Sequence, residues 1–168
     1  MKKHIVWDLD GVIRALFKSF RERFNIPDGV YGYNSTDLFL GKTIYEWAKE
    51  DYSFIYKSDP TEYLDTIKEC TNGSKIEIWS HQPDDWIKYT KKWLNTYLKG
   101  KYIIKYLTPE EKYRKLKDNP NYFLVEDSPR FPCYDRIVLI DREYNREIKP
   151  FIRIKSKEEL KIFLERYK

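Results

Sequence analysis

Cysteine is nearly absent from this chain. Cys70 and Cys133 are the only two, with no metal-like spacing between them. That excludes a cysteine-built zinc site and a disulfide-dense scaffold, and leaves one disulfide or, as a reducing cytosol favours, two free thiols. Histidine is as scarce: His4 and His81 have no partner at metal-ligand spacing, and His4 reads as structural. No apolar run approaches the ~18 residues of a membrane span. Repeats and low-complexity segments are lacking. The opening "MKKHIVWDLD" has too short an apolar stretch for a signal peptide and ends in acids. The expectation is a soluble, cytoplasmic protein without a membrane partner. No strong excess of one charge exists either: 32 Lys and Arg against 27 Asp and Glu, net +5, spread along the chain. Such a mild excess suits an anionic substrate without identifying nucleic acid as the partner.

At 168 residues the chain is long enough for one domain with a real core. Short continuous apolar runs predict strands at "HIVWDL", "KIEIWS", "YIIKYL", "YFLVED" and "RIVLID", with a sixth at "FIRIK". Helical spacing lies between them, over residues 59–70, 83–98, 108–118 and 156–167. Thr108, Pro109 and Glu111 make an N-terminal capping box, and Ser156 with Glu159 repeats it. Strands alternating with helices predict an α/β fold with a Rossmann-like parallel sheet and helices on both faces. One stretch breaks the alternation. Residues 14–57 carry helical pattern, then "NIPDGVYGYNST", then more helical pattern, with no evident strand. A small helical cap inserted after the first strand is the expectation, its aromatics Phe17, Phe20, Phe24, Tyr31, Tyr33, Phe39, Tyr45 and Trp47 mostly forming its core. The remainder, 1–13 and 58–168, forms the sheet domain.

In open parallel sheets, ligands bind beyond the carboxyl ends of the strands. The first strand ends in Asp8 and Asp10, the second in Ser80, the fourth in Glu126 and Asp127. Lys112 lies in the helix before the fourth strand, with Lys115 as its rival for the same place. Carboxylates gathered this closely repel one another unless a cation sits among them, and oxygen ligands at low count favour Mg²⁺.

"VWDLDGVI", "IEIWS", Lys112 and "FLVEDSP" together resemble, in order, the motifs of the haloacid dehalogenase (HAD) superfamily in its phosphatase branch. "YTKKWLNTYL", "VLIDREYN" and the Gly-Val after the second Asp are similar to the 5'(3')-deoxyribonucleotidase group within it. The resemblance implies Mg²⁺-dependent phosphomonoester hydrolysis through an aspartyl phosphate. Asp8 would be the nucleophile and Asp10 the general acid, with Gly11 permitting the turn between strand and acid. Ser80 would donate to a phosphoryl oxygen, and Lys112 would neutralise phosphate and Asp8. Asp8, Asp127 and the backbone carbonyl of Asp10 would hold Mg²⁺, with Glu126 beside it through water or as support. Three departures bear on substrate: His81 and Gln82 follow Ser80, the last motif is Glu-Asp, and Arg14 stands where it would meet a second phosphate or a nucleic-acid backbone. Gly11, Arg14 and His81 are therefore the expected substrate contacts. The substrate implied is a small phosphomonoester, a (deoxy)nucleoside monophosphate by preference. The alternatives are a polynucleotide 3'-end phosphatase and a HAD-like domain that binds without turnover. Asn145 in "REYN" reads as a turn residue.

Overall fold

The apolar runs become strands and the amphipathic stretches cover them. A computed structural model describes residues 3–27, 37–131 and 134–167, so Tyr31, Tyr33 and Cys133 lie outside the described residues. In chain order the elements are β1 (His4–Trp7), α1 (Leu16–Phe24), β2 (Leu38–Phe39), β3 (Lys42–Thr43), α2 (Ile44–Glu50), α3 (Ser53–Tyr56), α4 (Leu64–Thr71) and β4 (Ile76–Ser80). They continue with α5 (Ile87–Leu98), β5 (Tyr102–Tyr106), α6 (Pro109–Asp118), β6 (Tyr122–Glu126), β7 (Ile137–Ile140), β8 (Ile152–Ile154) and α7 (Lys157–Tyr167). Six strands form one parallel sheet in the order β5-β4-β1-β6-β7-β8. The chain moves outward from β1 on one side, then returns to its other side through β6, which makes the carboxyl end of β1 the crevice of the sheet.

The central strands are mostly apolar because both faces are covered: all five residues of β4 and all four of β7 are buried, and the one acid within β4, Glu77, is held by His4, Trp79 and Lys105. On one face, Leu64 and Ile67 of α4, Trp93 and Leu94 of α5, and Leu160 and Phe163 of α7 join Ile78, Val125 and Val138 in the larger core. On the other, Leu116 of α6 and Phe131 pack with Val6, Trp79 and Leu124. Among the described residues, no helix is long and apolar enough to cross a membrane.

The insertion after β1 has its own aromatic cluster, in which Leu16, Phe20, Phe39, Phe54 and Ile55 are buried with Trp86. Phe17, Phe24, Tyr45 and Trp47 pack against it, as the sequence predicts for most of these rings. The insertion is not wholly helical, however. β2 and β3 pair antiparallel as a hairpin closed by Leu40 and Gly41, at φ 52° and 84°. Two positive-φ residues suit a two-residue hairpin turn, and a leucine there gives no turn signal in the sequence. The insertion returns through a strap. Ala15 N–H donates to Asp59 O, Thr61 N–H to Ile13 O, and Thr61 Oγ1 to Val12 O at 2.5 Å. Those pairings keep residues 59–63 out of the helix expected from 59, which begins at Leu64. The α6 box is present as predicted, but that of α7 is displaced: Ser156 Oγ accepts from Glu159 N–H, while the Glu159 carboxylate accepts from Lys155 N–H.

Candidate active site

Register brings the strand ends together. Trp7 pairs with Ile78 of β4 and Val125 of β6, and Asp8 N–H still donates to Val125 O at 2.8 Å. Asp8, Ser80, Glu126 and Asp127 therefore share one edge, and all four are buried. After Asp8 the chain turns: Ile13 and Arg14 N–H both donate to Leu9 O, and Gly11 N–H to Arg14 O. Gly11 is needed twice over. Its φ is 83°, and a Cβ there would overlap Asp127 Oδ2 and lie 2.8 Å from the Tyr144 hydroxyl.

Asp8, Glu126 and Asp127 each offer an oxygen within 4.8 Å of the others. Lys112 Nζ donates to Asp8 Oδ1 and, at 2.9 Å, to Glu126 Oε2. The choice between Lys112 and Lys115 falls on Lys112, which is buried and lines the cleft, as Lys115 does not. Glu126 is fully engaged, because its Oε1 also accepts from the N–H groups of Asp127 and Ser128 at 3.3 Å. Asp127 is not. Its Oδ2 accepts from the Tyr144 hydroxyl, while Oδ1 is buried without a partner. Three carboxylates against one ammonium leave an excess of negative charge away from water. Burial, then Glu126, drives the Asp8 carboxyl up to about 8 despite Lys112. Burial, Glu126 and Asp8 likewise push Asp127 well above the carboxylate range. Burial alone would lower the Lys112 ammonium, but Asp8 and Glu126 raise it. An oxygen-only set with an orphaned carboxylate oxygen fits a hard divalent cation, which Asp8 and Asp127 could hold.

Above this floor lies a cleft of about 190 Å³. Asp10, Ser80, His81 and Lys112 line one part of it, and Phe17, Phe39, Ile44, Tyr45, Trp86 and Phe131 the rest. His81 sits exposed in its wall, its imidazole pKa lowered by partial burial and by Lys112 and Arg130. Arg130, which the sequence reading passed over, lines the same wall.

Neither a family model nor a curated protein matches this chain.

Arg14 corrects an expectation. It does not face a ligand: it is fully buried, and its guanidinium grips both Asp10 oxygens, Nε to Oδ1 at 2.6 Å and Nη2 to Oδ2 at 3.0 Å. Its Nη1 donates to Thr90 Oγ1 at 3.1 Å and Ile55 O at 3.4 Å. Gln82 completes the network, donating to Asp10 Oδ2 at 2.7 Å and accepting from Thr90 at 2.6 Å. A two-pronged pair of this kind fixes a carboxylate in direction as well as place.

A second brace comes from the turn after β7. Arg142 donates twice to Gly11 O, at 2.9 and 2.7 Å. Asn145 is the expected turn residue, its Oδ1 accepting from Arg142 N–H, but it is also buried and donates to Asp127 O and Ile140 O at 2.8 Å. With Tyr144 on Asp127, one short turn holds both acidic loops. The run "REYN" was visible as a motif, but its polar residues gave no sign of where they point. His4 is structural, as expected, paired with Glu77 at 2.8 Å.

Proposed function

We propose that this protein is a HAD-like, Mg²⁺-dependent phosphomonoesterase whose insertion caps the site, with nucleoside monophosphates as preferred substrates. What carries the reading is the buried Asp8–Glu126–Asp127 cluster, bridged by Lys112 and keeping one unpartnered carboxylate oxygen, at the floor of a cleft. Bound Mg²⁺ would offset the repulsion between Asp8 and an incoming phosphoryl group. It would be held by Asp8, Asp127 and the Asp10 carbonyl.

In the proposed reaction the Asp8 carboxylate attacks phosphorus. The ester P–O bond breaks, and its electron pair leaves on the alcohol oxygen, which takes a proton from Asp10. Water then gives a proton to Asp10 and attacks the aspartyl phosphate; the P–O bond to Asp8 breaks and inorganic phosphate leaves. Lys112 and the Ser80 hydroxyl stabilise the phosphoryl oxygens. Arg14 and Gln82 aim Asp10. The apolar rings lining the cleft suit a nucleobase and exclude water from the reacting group.

The test is phosphate release from the ribo- and deoxynucleoside 5'- and 3'-monophosphates, with Mg²⁺ and with EDTA, for wild type and Asp8→Asn. Release that requires Mg²⁺ and vanishes in Asp8→Asn is expected. Silence of the wild type, or equal release by Asp8→Asn, sinks the assignment.

A further inference from the structure

Between Asp85 and Glu110 the chain has six lysines and no acidic residue. The structure sorts them. Helix α5 buries Thr90, Trp93, Leu94 and Leu98. Its opposite face, running through Lys88, Lys91, Lys92 and the cap residue Lys99, is exposed, with Asn95 and Thr96 filling the same stripe. Lys18, Lys42 and Lys105 are matched to Glu22, Glu50 and Glu77; these four, like several other surface lysines, have no carboxylate partner among the described residues, but they alone line one face of a single helix beside a tyrosine stack. An aromatic step flanks the stripe. Tyr52 and Tyr89 stack at 4.5 Å with their planes 13° apart, and Tyr56 lies 5.9 Å from Tyr89 at 20°. Lys92 Nζ stands 4.0 Å from the Tyr56 ring and Lys88 Nζ 4.8 Å from Tyr89. The nearest acids, Asp84 and Asp85, sit in the turn before the helix, and the Tyr52 hydroxyl engages Asp85.

We propose that this face of α5 docks single-stranded nucleic acid. An uncompensated lysine stripe is complementary to a phosphate backbone, and half-buried tyrosines beside it offer surfaces on which bases stack. From Lys88 to Lys99 the stripe is about 16 Å long at ~1.5 Å per residue, the length of about five stacked nucleotides at ~3.4 Å each. The helix also starts at the cleft, which Trp86 lines. A strand lying on α5 would bring its end there, making the scissile phosphate a terminal one; this last step alone rests on the phosphatase reading.

Binding is tested by fluorescence anisotropy with a labelled 15-nucleotide single strand in EDTA, where turnover plays no part. Four lysine–phosphate contacts predict a log–log salt slope of about −3 and an affinity loss of about fifty-fold between 50 and 200 mM salt. The Lys88→Gln/Lys91→Gln/Lys92→Gln variant should retain a slope of about −0.7 and lose only about threefold over the same range. An unchanged circular dichroism spectrum and melting temperature would show it folded. Equal affinity and slope in the variant, or no binding by wild type at 50 mM salt, overturns the proposal. So does inorganic polyphosphate of matched charge binding as tightly as the oligonucleotide, since that would leave the tyrosines without a role.

Discussion

The excess charge at the acidic cluster makes stability a function of pH and cation together. In the unfolded chain Asp8 titrates near 3.8; in the folded protein without a cation its carboxyl is raised to about 8. Between pH 5 and 7 the folded state therefore keeps a proton that the unfolded state has lost, so stability falls as pH rises, by about 1.4 kcal/mol per pH unit for each proton kept. One proton gives a loss of about 3 kcal/mol across this window. In a chain of this size that is about 5–10 °C in melting temperature. Asp127, raised for the same reasons, adds to the slope. His81 opposes it, because its folded pKa is lowered and the unfolded state binds the extra proton up to its own pKa near 6.5. Measuring in a His81→Asn background removes that contribution. The carboxylates held low by caps and partners, Glu46 and Asp51 among them, act below pH 5. On the proposed reading, saturating Mg²⁺ would keep Asp8 and Asp127 ionised in the folded state, so the decline should vanish and the Mg²⁺-induced rise in melting temperature should be larger at pH 7 than at pH 5. Tryptophan fluorescence melts at both pH values, with EDTA or about 10 mM Mg²⁺, decide it. A metal-free melting temperature that is flat or rises from pH 5 to 7 refutes the reasoning.

Four further outcomes follow from the contacts. Gly11→Ala forces a side chain onto the Asp127 carboxylate at positive φ, and should lose more than about 2 kcal/mol in denaturant melts along with the Mg²⁺ response. Tyr144→Phe removes the donor to Asp127 Oδ2 and should change Mg²⁺ affinity by about 10–100-fold in titration calorimetry, with the fold intact. Asn145→Leu strips buried Asp127 and Ile140 carbonyls of a donor, and should cost about 3 kcal/mol by chemical denaturation. Arg14→Lys keeps the charge but not the two-pronged grip on Asp10. Phosphate release should fall about 10–100-fold for alkyl phosphoesters, whose leaving oxygen needs a proton, and little for 4-nitrophenyl phosphate.

Much of the sheet was legible because β6 and β7 are covered on both faces and so spell continuous apolar runs, β4 is broken only by Glu77, and the polar residue that ends each run marks the edge where the site lies. Lys112 was legible in principle. Leu116 is the buried apolar residue of α6, and one turn earlier on the same face stands Lys112, not Lys115. The rest depended on distance along the chain. Arg14 is met by Ile55 and Thr90, 41 and 76 residues away, and no local pattern distinguishes a buried arginine from a solvent-facing one. Tyr144 reaches Asp127 only because β7 lies beside β6. The β2–β3 hairpin was hidden by Leu40, a residue type that ordinarily avoids the left-handed turn it occupies.

The braces around the acids follow from the charge they must hold. When ionised, three buried carboxylates with one ammonium repel one another, so the backbone carrying them needs restraint from groups that do not depend on a bound cation. The turn at 142–145 supplies that restraint on one side by holding Gly11 O and Asp127 O at once. Arg14 and Gln82 supply it on the other by fixing Asp10 to α5 and to the end of the insertion. Asp8 and Asp127 are thus left as the adjustable members, with raised pKa values and a buried, unpartnered oxygen on Asp127, inside a braced frame. A site built only for stability would have replaced such a cluster with apolar side chains, which serve the fold as well or better. Its retention at the crevice of the sheet, beneath a cleft, is the physical reason to look for chemistry there.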